Sequence, residues 1–332
     1  MPEPTTSIYG GQAVIEGVMF GGRNVNVTAV RRKNDEIQYF EVPASQKKPW
    51  YQPLKKIPFI RGVIGILESS ARGSQHLNFS MEAYAEDSEE SDGKTEVGKA
   101  DKVEKAEPKP EKKEGWSLAM VFGVAVAGVI SFVLGKVVFT AVPAIVEEFL
   151  FDGRFDNIVV HNLLEGAIKI IFLLSYLYLL SLTPMIKRLF QYHGAEHKVI
   201  TAYENGSELT VDKVQKFTRL HYRCGSSFII FSVIVGVIVY SFFTWDTLWE
   251  RVYIRILLLP VVLGISYEVL RFTNSLRDVP VLRFLGYPGL WLQMLTTKEP
   301  TDDQVAVSIA SFNRMRELEK KVNAPQSAST AV

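Results

Sequence analysis

"IIFLLSYLYLLSLTPMI", residues 170–186, is the run on which the fold turns, because it carries no charged residue before Lys187. Extended back to about residue 160, it reaches the roughly 20 helical residues that cross a bilayer. Three other segments have the same character: "SLAMVFGVAVAGVISFVLGKVVFTA" at 117–141, "CGSSFIIFSVIVGVIVYSFFT" at 224–244 and "VYIRILLLPVVLGISYEVLR" at 252–271. The expected fold is therefore a mainly α membrane protein with four transmembrane helices and a small N-terminal α+β cytoplasmic region. Lys and Arg in the flanking loops set the orientation. The loops "VPAIVEEFLFDGRFDNI" and "WDTLWER" hold one basic residue each, Arg154 and Arg251. The 187–223 loop holds Lys187, Arg188, Lys198, Lys213, Lys216, Arg219 and Arg223. Both termini and that loop are expected in the cytoplasm (N-in/C-in), in a multi-pass protein of the bacterial inner membrane.

Totals narrow the partners. The chain has 332 residues, 47% of them hydrophobic, and a formal charge of +1. There is no basic excess or finger, zipper or RNP pattern to suggest nucleic acid, and the expected partners are the lipid bilayer and other membrane proteins. A single cysteine, Cys224, excludes an intramolecular disulfide and fits a reducing compartment. No charged n-region followed by an apolar core opens the chain, so no cleavable signal peptide is expected.

Four regions follow. In residues 1–82, "NVNVTAVRR" and "EIQYFEVP" alternate as a strand pair around "KND". "IPFIRGVIGILESSARGSQHLNFSMEAYA" then reads as one helix, lying either on the bilayer and its spans or in the core of a small domain. Residues 83–115 are a charged, low-complexity tract that buries too little apolar surface to order, a disordered linker. Residues 116–298 make the transmembrane domain, in which Glu165 and Lys169 are spaced as an i,i+4 pair. Residues 299–332 carry an amphipathic helix capped at Thr301 with Asp302 and Asp303 in its first turn, then a tail.

The chemistry concentrates in "QYHGAEHKVITAYENG", residues 191–206. At about 100° per residue, His193 and His197 share a helix face, Glu204 returns beneath them and Glu196 stands about 60° to the other side. H-x-x-E-H is the inverse-zincin spacing, in which two histidines bind metal and the intervening glutamate is the base. Zinc, Zn2+, is the expected cofactor, with Glu196 as the catalytic base. Metal-ligand candidates are His193, His197 and Glu204, together with His221 and Cys224 from "LHYRCGSS". Three of the five histidines and the only cysteine thus fall between 193 and 224. Glu268, in "SYEVLR", is a remote ligand or second acid, or else the partner of Arg271 or Arg223. The competing reading of the cluster is a hydrogen-bonded helix end at the headgroup level.

"GGQAVIEGVM" (10–19), "YHGAEHK" (192–198), "HYRCGSSF" (221–228), "GISYEVLR" (264–271) and "LTTKEPTDD" (295–303) together resemble the YqhQ family of bacterial membrane proteins. The resemblance covers nearly all the chain outside the charged tract and tail. It implies a membrane protein described as a metal-dependent enzyme. The chain departs from the family pattern at Gly21 and Arg23 and at Ala306 or Val307. The glycine-rich first block matches neither a Walker loop nor G-x-G-x-x-G. It reads as a turn-rich lead into the strand pair, from which Glu16 can extend toward the histidines. The function expected is hydrolysis at a metal site on the cytoplasmic face. The alternative is a non-catalytic factor for membrane-protein assembly or quality control with a structural cluster. A transporter is disfavoured by the lack of repeats.

Overall fold

In a computed structural model, the structure describes residues 9–44, 49–92, 134–135, 138–151, 153–155, 157–245, 247–276 and 279–328. Four strands, β1 (Gly10–Val14), β2 (Gly17–Gly21), β3 (Val25–Arg31) and β4 (Ile37–Pro43), form one antiparallel sheet in sequence order. The β3–β4 pair is the alternating pair expected from sequence. The β1–β2 hairpin lies in the glycine-rich block and turns on two residues, Ile15 and Glu16, with Glu16 at a positive φ of 53°. No Asn-Gly or Asp-Gly marks that turn, so the usual hairpin signal is missing. Gly17 is obligatory beside it, since a Cβ there would lie 2.1 Å from the carbonyl oxygen of Ala29.

Both sheet faces are covered. One face meets α1 (Ile60–Asp92), with Thr28 bonded to His76, Phe40 stacked on Phe79, and Val14, Val30 and Ala83 packed together. The other meets α4 (Pro184–Glu204) and α10 (Asp302–Ala328). There Val18, Phe20, Val27 and Ala29 bury against Tyr192, Ala195, Val199, Val305, Phe312 and Met315, the largest core cluster. The predicted C-terminal helix is thus a core element. The Gln304 side chain accepts from the Thr301 backbone N–H at 2.9 Å, closing its first turn. α1 continues to Asp92, into the tract expected to be a linker, most of which lies outside the described residues.

The remaining helices are a stretch over 138–151 (α2), α3 (Ile158–Leu182), the single turn α5 (Val211–Val214), α6 (Ser227–Tyr240), α7 (Leu248–Leu257), α8 (Leu259–Ser275) and α9 (Tyr287–Thr296). They correct the four-span fold. Among the described residues one helix, α3, is long and apolar enough to cross a membrane. α7 and α8 reach that standard only as a pair bent by 52°, and α6 has 14 residues. The first expected span, 117–141, lies largely outside the described residues. The chain is helical with a four-stranded antiparallel sheet, and the N-in/C-in reading built on four spans falls with them. Pro260, in the first turn of α8, lacks the donor and has the bulk to break the fourth run. The apolar side chains of α6 and α9 are used on neighbours: Ile230, Val233 and Leu292 pack with Leu173 and Leu177 of α3. A short apolar run reads alike whether it spans a bilayer or fills a core.

Charged groups inside this helical layer are paired. Glu165 of α3 meets Arg251 and Arg255 of α7, and Arg251 also reaches Glu147 of α2 at 3.2 Å and lies over Trp245. These cross-helix arginines were not the partners foreseen for Glu165. A buried ion pair deprived of one member costs about 3–5 kcal/mol, so the cluster fixes α2, α3 and α7 together.

His76 is fully buried between α1 and the sheet, its Nδ1 2.6 Å from the Thr28 hydroxyl and its Nε2 without a hydrogen bond among the described residues. Burial lowers its pKa from 6.5 to about 4. The unfolded chain therefore takes up this proton first, so the stability His76 confers is whole above pH 6.5 and is lost as pH falls toward 4. The expected slope is about 1.4 kcal/mol per pH unit. Denaturant titrations between pH 6 and pH 4.5 should show a shallower acid loss in His76→Gln than in the parent by roughly that slope.

Candidate metal centre

α4 leaves α3 across Thr183, with Pro184 at its first position, and carries His193, Glu196 and His197 on its central turns. Gly194 stands mid-helix for a packing reason: a Cβ there would lie 2.1 Å from the carbonyl oxygen of Lys298. The segment "TTKEP" runs against α4 at that point, and the Lys298 N–H donates to the carbonyl of Phe190 at 2.9 Å. This strap also presents the Thr296 carbonyl to Nδ1 of His193 at 2.8 Å. The Arg219 carbonyl likewise accepts from Nδ1 of His197 at 2.5 Å. A carbonyl can only accept, so both imidazoles carry their proton on Nδ1 and turn an Nε2 lone pair inward.

Cys224 completes the group. Its Sγ is 3.3 Å from Nε2 of His193 and 3.0 Å from the Ser226 hydroxyl. One donor atom each from His193, His197 and Cys224 lie within 4.8 Å of one another. Glu196, 95% buried, holds Oε2 3.7 Å from Nε2 of His197 and 3.9 Å from that of His193. Burial raises the Glu196 pKa above the usual carboxylate range, against the opposing pull of His193, His221 and the Gly11 N–H. Burial lowers the His197 pKa, partly countered by Cys224, and favours the neutral imidazole that binds metal. The four groups face a cleft of about 370 Å³ shared with Tyr9, Gly11 and Phe190.

The other sequence candidates fall outside the group of three. Glu204 is eleven residues beyond His193, about 16 Å along a helix, so its favourable angle does not bring it near. It pairs with Arg223 and stands 3.6 Å from Nε2 of His221, which lines the same cleft as the triad without being one of its three donors. The His221 ring centre remains 5.8 Å from that of His197. Glu268 pairs with Arg61 of α1 and accepts from the Phe59 N–H, a helix-to-helix tie. Glu16 binds Arg188 and the Tyr192 hydroxyl. The first block reaches the site through Gly11 instead: a Cβ there would lie 2.6 Å from Cγ of Glu196.

Several supporting groups escaped sequence reasoning. Gln293, fully buried, bonds both the N–H and the carbonyl of His221 at 2.8 Å and Ser227 at 2.9 Å, which holds the 218–226 loop. Arg219 ties that loop to Thr297 through carbonyl and hydroxyl at 2.9 and 2.7 Å. Lys198, buried, donates to the Gln215 carbonyl and pairs with Glu299 at 2.8 Å. A lone glutamine in the apolar run "GLWLQML" was a usable signal for the first of these. The Thr296 and Arg219 carbonyls leave no mark in a sequence.

The profile of a family described as "Protein of unknown function (DUF1385)" matches residues 57–318. The chain belongs to this family. It is 51% identical over 311 residues to the Bacillus subtilis (strain 168) protein named "Uncharacterized protein YqhQ", covering 94% of this chain and 93% of that one. No solved structure matches it. The resemblance drawn from the five sequence blocks is thereby shown for the family.

The strap contact is testable on its own. Gly194→Ala should push Lys298 off α4 and release the Thr296 carbonyl from His193, costing about 1–3 kcal/mol as overpacking does. A lower thermal midpoint together with reduced metal uptake is the expected pair of readouts.

Proposed function

We propose that this protein is a membrane-attached, zinc-dependent hydrolase whose metal is held by His193, His197 and Cys224. The observation that carries the reading is the pair of Nδ1 bonds to fixed backbone carbonyls, which aim both Nε2 lone pairs at the Cys224 sulfur. Two imidazoles and a thiol suit zinc, and His193, His197 and Cys224 would be the residues that hold it. The second-sphere carbonyls orient the rings as such partners do in metal sites. Bound zinc supplies a Lewis acid that makes a water acidic near neutral pH. Glu196, adjacent to both imidazoles and with its pKa raised, would be the group that takes up and returns a proton beside such a metal. The Gly11 N–H holds that carboxylate in place.

Attachment to the cell membrane rests on α3, whose most apolar 18-residue window is only 17% buried, leaving Leu163, Ile171, Leu179 and Leu182 exposed. The basic residues of 187–223 argue that the cleft at the end of α3 faces the cytoplasm. A second reading draws on the 3.3 Å Cys224–His193 contact. The same groups then form a metal-free hydrogen-bonded knot in a protein that assists other membrane proteins.

Metal analysis of the detergent-purified chain separates the two. About one zinc per chain is expected, falling to background in His193→Ala, His197→Ala and Cys224→Ser, and staying at the parental level in Glu196→Gln. A metal content near zero in the unaltered chain, reconstituted with zinc, sinks the hydrolase reading and favours the knot.

A further inference from the structure

The row Gly10–Gly21–Asn26 crosses the α1 face at one end of the sheet. These residues are register partners, so their Cα–Cβ directions lie on the same side. At the next rows that face is filled: Gln12 packs on Gly73, Thr28 on His76, and Val14 and Val30 on Ala83. At this row two glycines leave it open. A Cβ placed at Gly10 meets nothing within 4 Å among the described residues, so no packing demand among them explains the missing side chain. The result is a groove of about 290 Å³, roofed by Ser69 and Arg72 of α1.

Its polar side chains are those of Gln12, Asn26, Ser69 and Arg72. Asn26, 5% exposed, lines the groove and has no side-chain hydrogen bond among the described residues. Arg72 is exposed and, among the described residues, engages only its Nε, with the Glu68 carbonyl of its own helix at 3.4 Å. Among the described residues no carboxylate lines the groove. The Asn26 amide is open to the groove, and a guanidinium above it with no carboxylate partner among the described residues selects an oxyanion, which it binds in bidentate fashion. The volume sits at the lower end of the range for small-molecule sites, beyond the needs of a bare ion.

We propose that this groove binds the phosphate group of a small phosphate monoester, with Arg72 and Asn26 as its polar contacts and Gly10 as its open floor. The site is separate from the histidine cleft and does not depend on metal. Gly10, Gly11 and Gln12 line both, so a single strand, β1, divides them. The same chemistry arises from a soluble metabolite or from the headgroup of a phosphatidate-type lipid.

The test is calorimetry on the full chain in detergent, with glycerol 3-phosphate and, separately, short-chain dihexanoyl phosphatidate. Saturable one-site binding is expected for at least one, weakened about tenfold or more in Arg72→Gln. It should be abolished in Gly10→Val, whose side chain enters open space. Binding confined to glycerol 3-phosphate marks a soluble ligand, and binding confined to phosphatidate a lipid. Zinc content and thermal midpoint should be unchanged in Arg72→Gln, whose side chain lines the groove alone, which separates this site from the metal centre. No saturable binding of either probe, or parental affinity in either variant, overturns the proposal.

Discussion

Two backbone carbonyls, of Thr296 and Arg219, decide what the histidine cluster is. Each accepts the Nδ1 proton of one imidazole and so chooses its tautomer, its ring plane and the direction of its lone pair. Neither carbonyl belongs to α4. One comes from the last residue of α9, where the strap begins, and the other from the loop before α6, and each is fixed by its own bonds. Gly194 admits the strap against the helix, Arg219 binds it back to the loop, and Gln293 holds the loop to α9. Much of the helical layer can be read as scaffolding for those two oxygen positions.

The sequence made part of this legible. The helix periodicity placed His193 and His197 on one face beside Glu196, and those three do converge. Cys224 was drawn in by its neighbourhood and its chemistry. Angle alone misled for Glu204, because a helical wheel discards the axial rise. Glu268 was read as a remote ligand or as the partner of Arg271 or Arg223, because α1 was thought of apart from α8; Arg61 supplies the charge. The β3–β4 pair was visible as alternation. The β1–β2 hairpin was hidden because glycines carry no hydropathy pattern and its turn uses Ile15 and Glu16.

The apolar runs were the larger source of error. Hydropathy reports that a side chain leaves water, whether into lipid or onto a neighbouring helix. Leu173, Ile230 and Leu292 leave it onto one another. Length and continuity separate the cases, and among the described residues α3 alone meets both unbroken. Pro260 was present in the sequence as the sign that the fourth run bends.

The sheet is built from the first strands of the chain, yet its inner face is closed by α10, almost three hundred residues later. Phe20 waits for Phe312, and Asn24 and Val25 for Glu319. During synthesis the hairpins emerge with that face uncovered, and contacts so distant along the chain are slow to form. An interrupted chain therefore lacks both the cover of the sheet and, just before it, the strap that orients His193. The catalytic arrangement proposed for α4 is in that sense available only to a chain that has been made to its last helix.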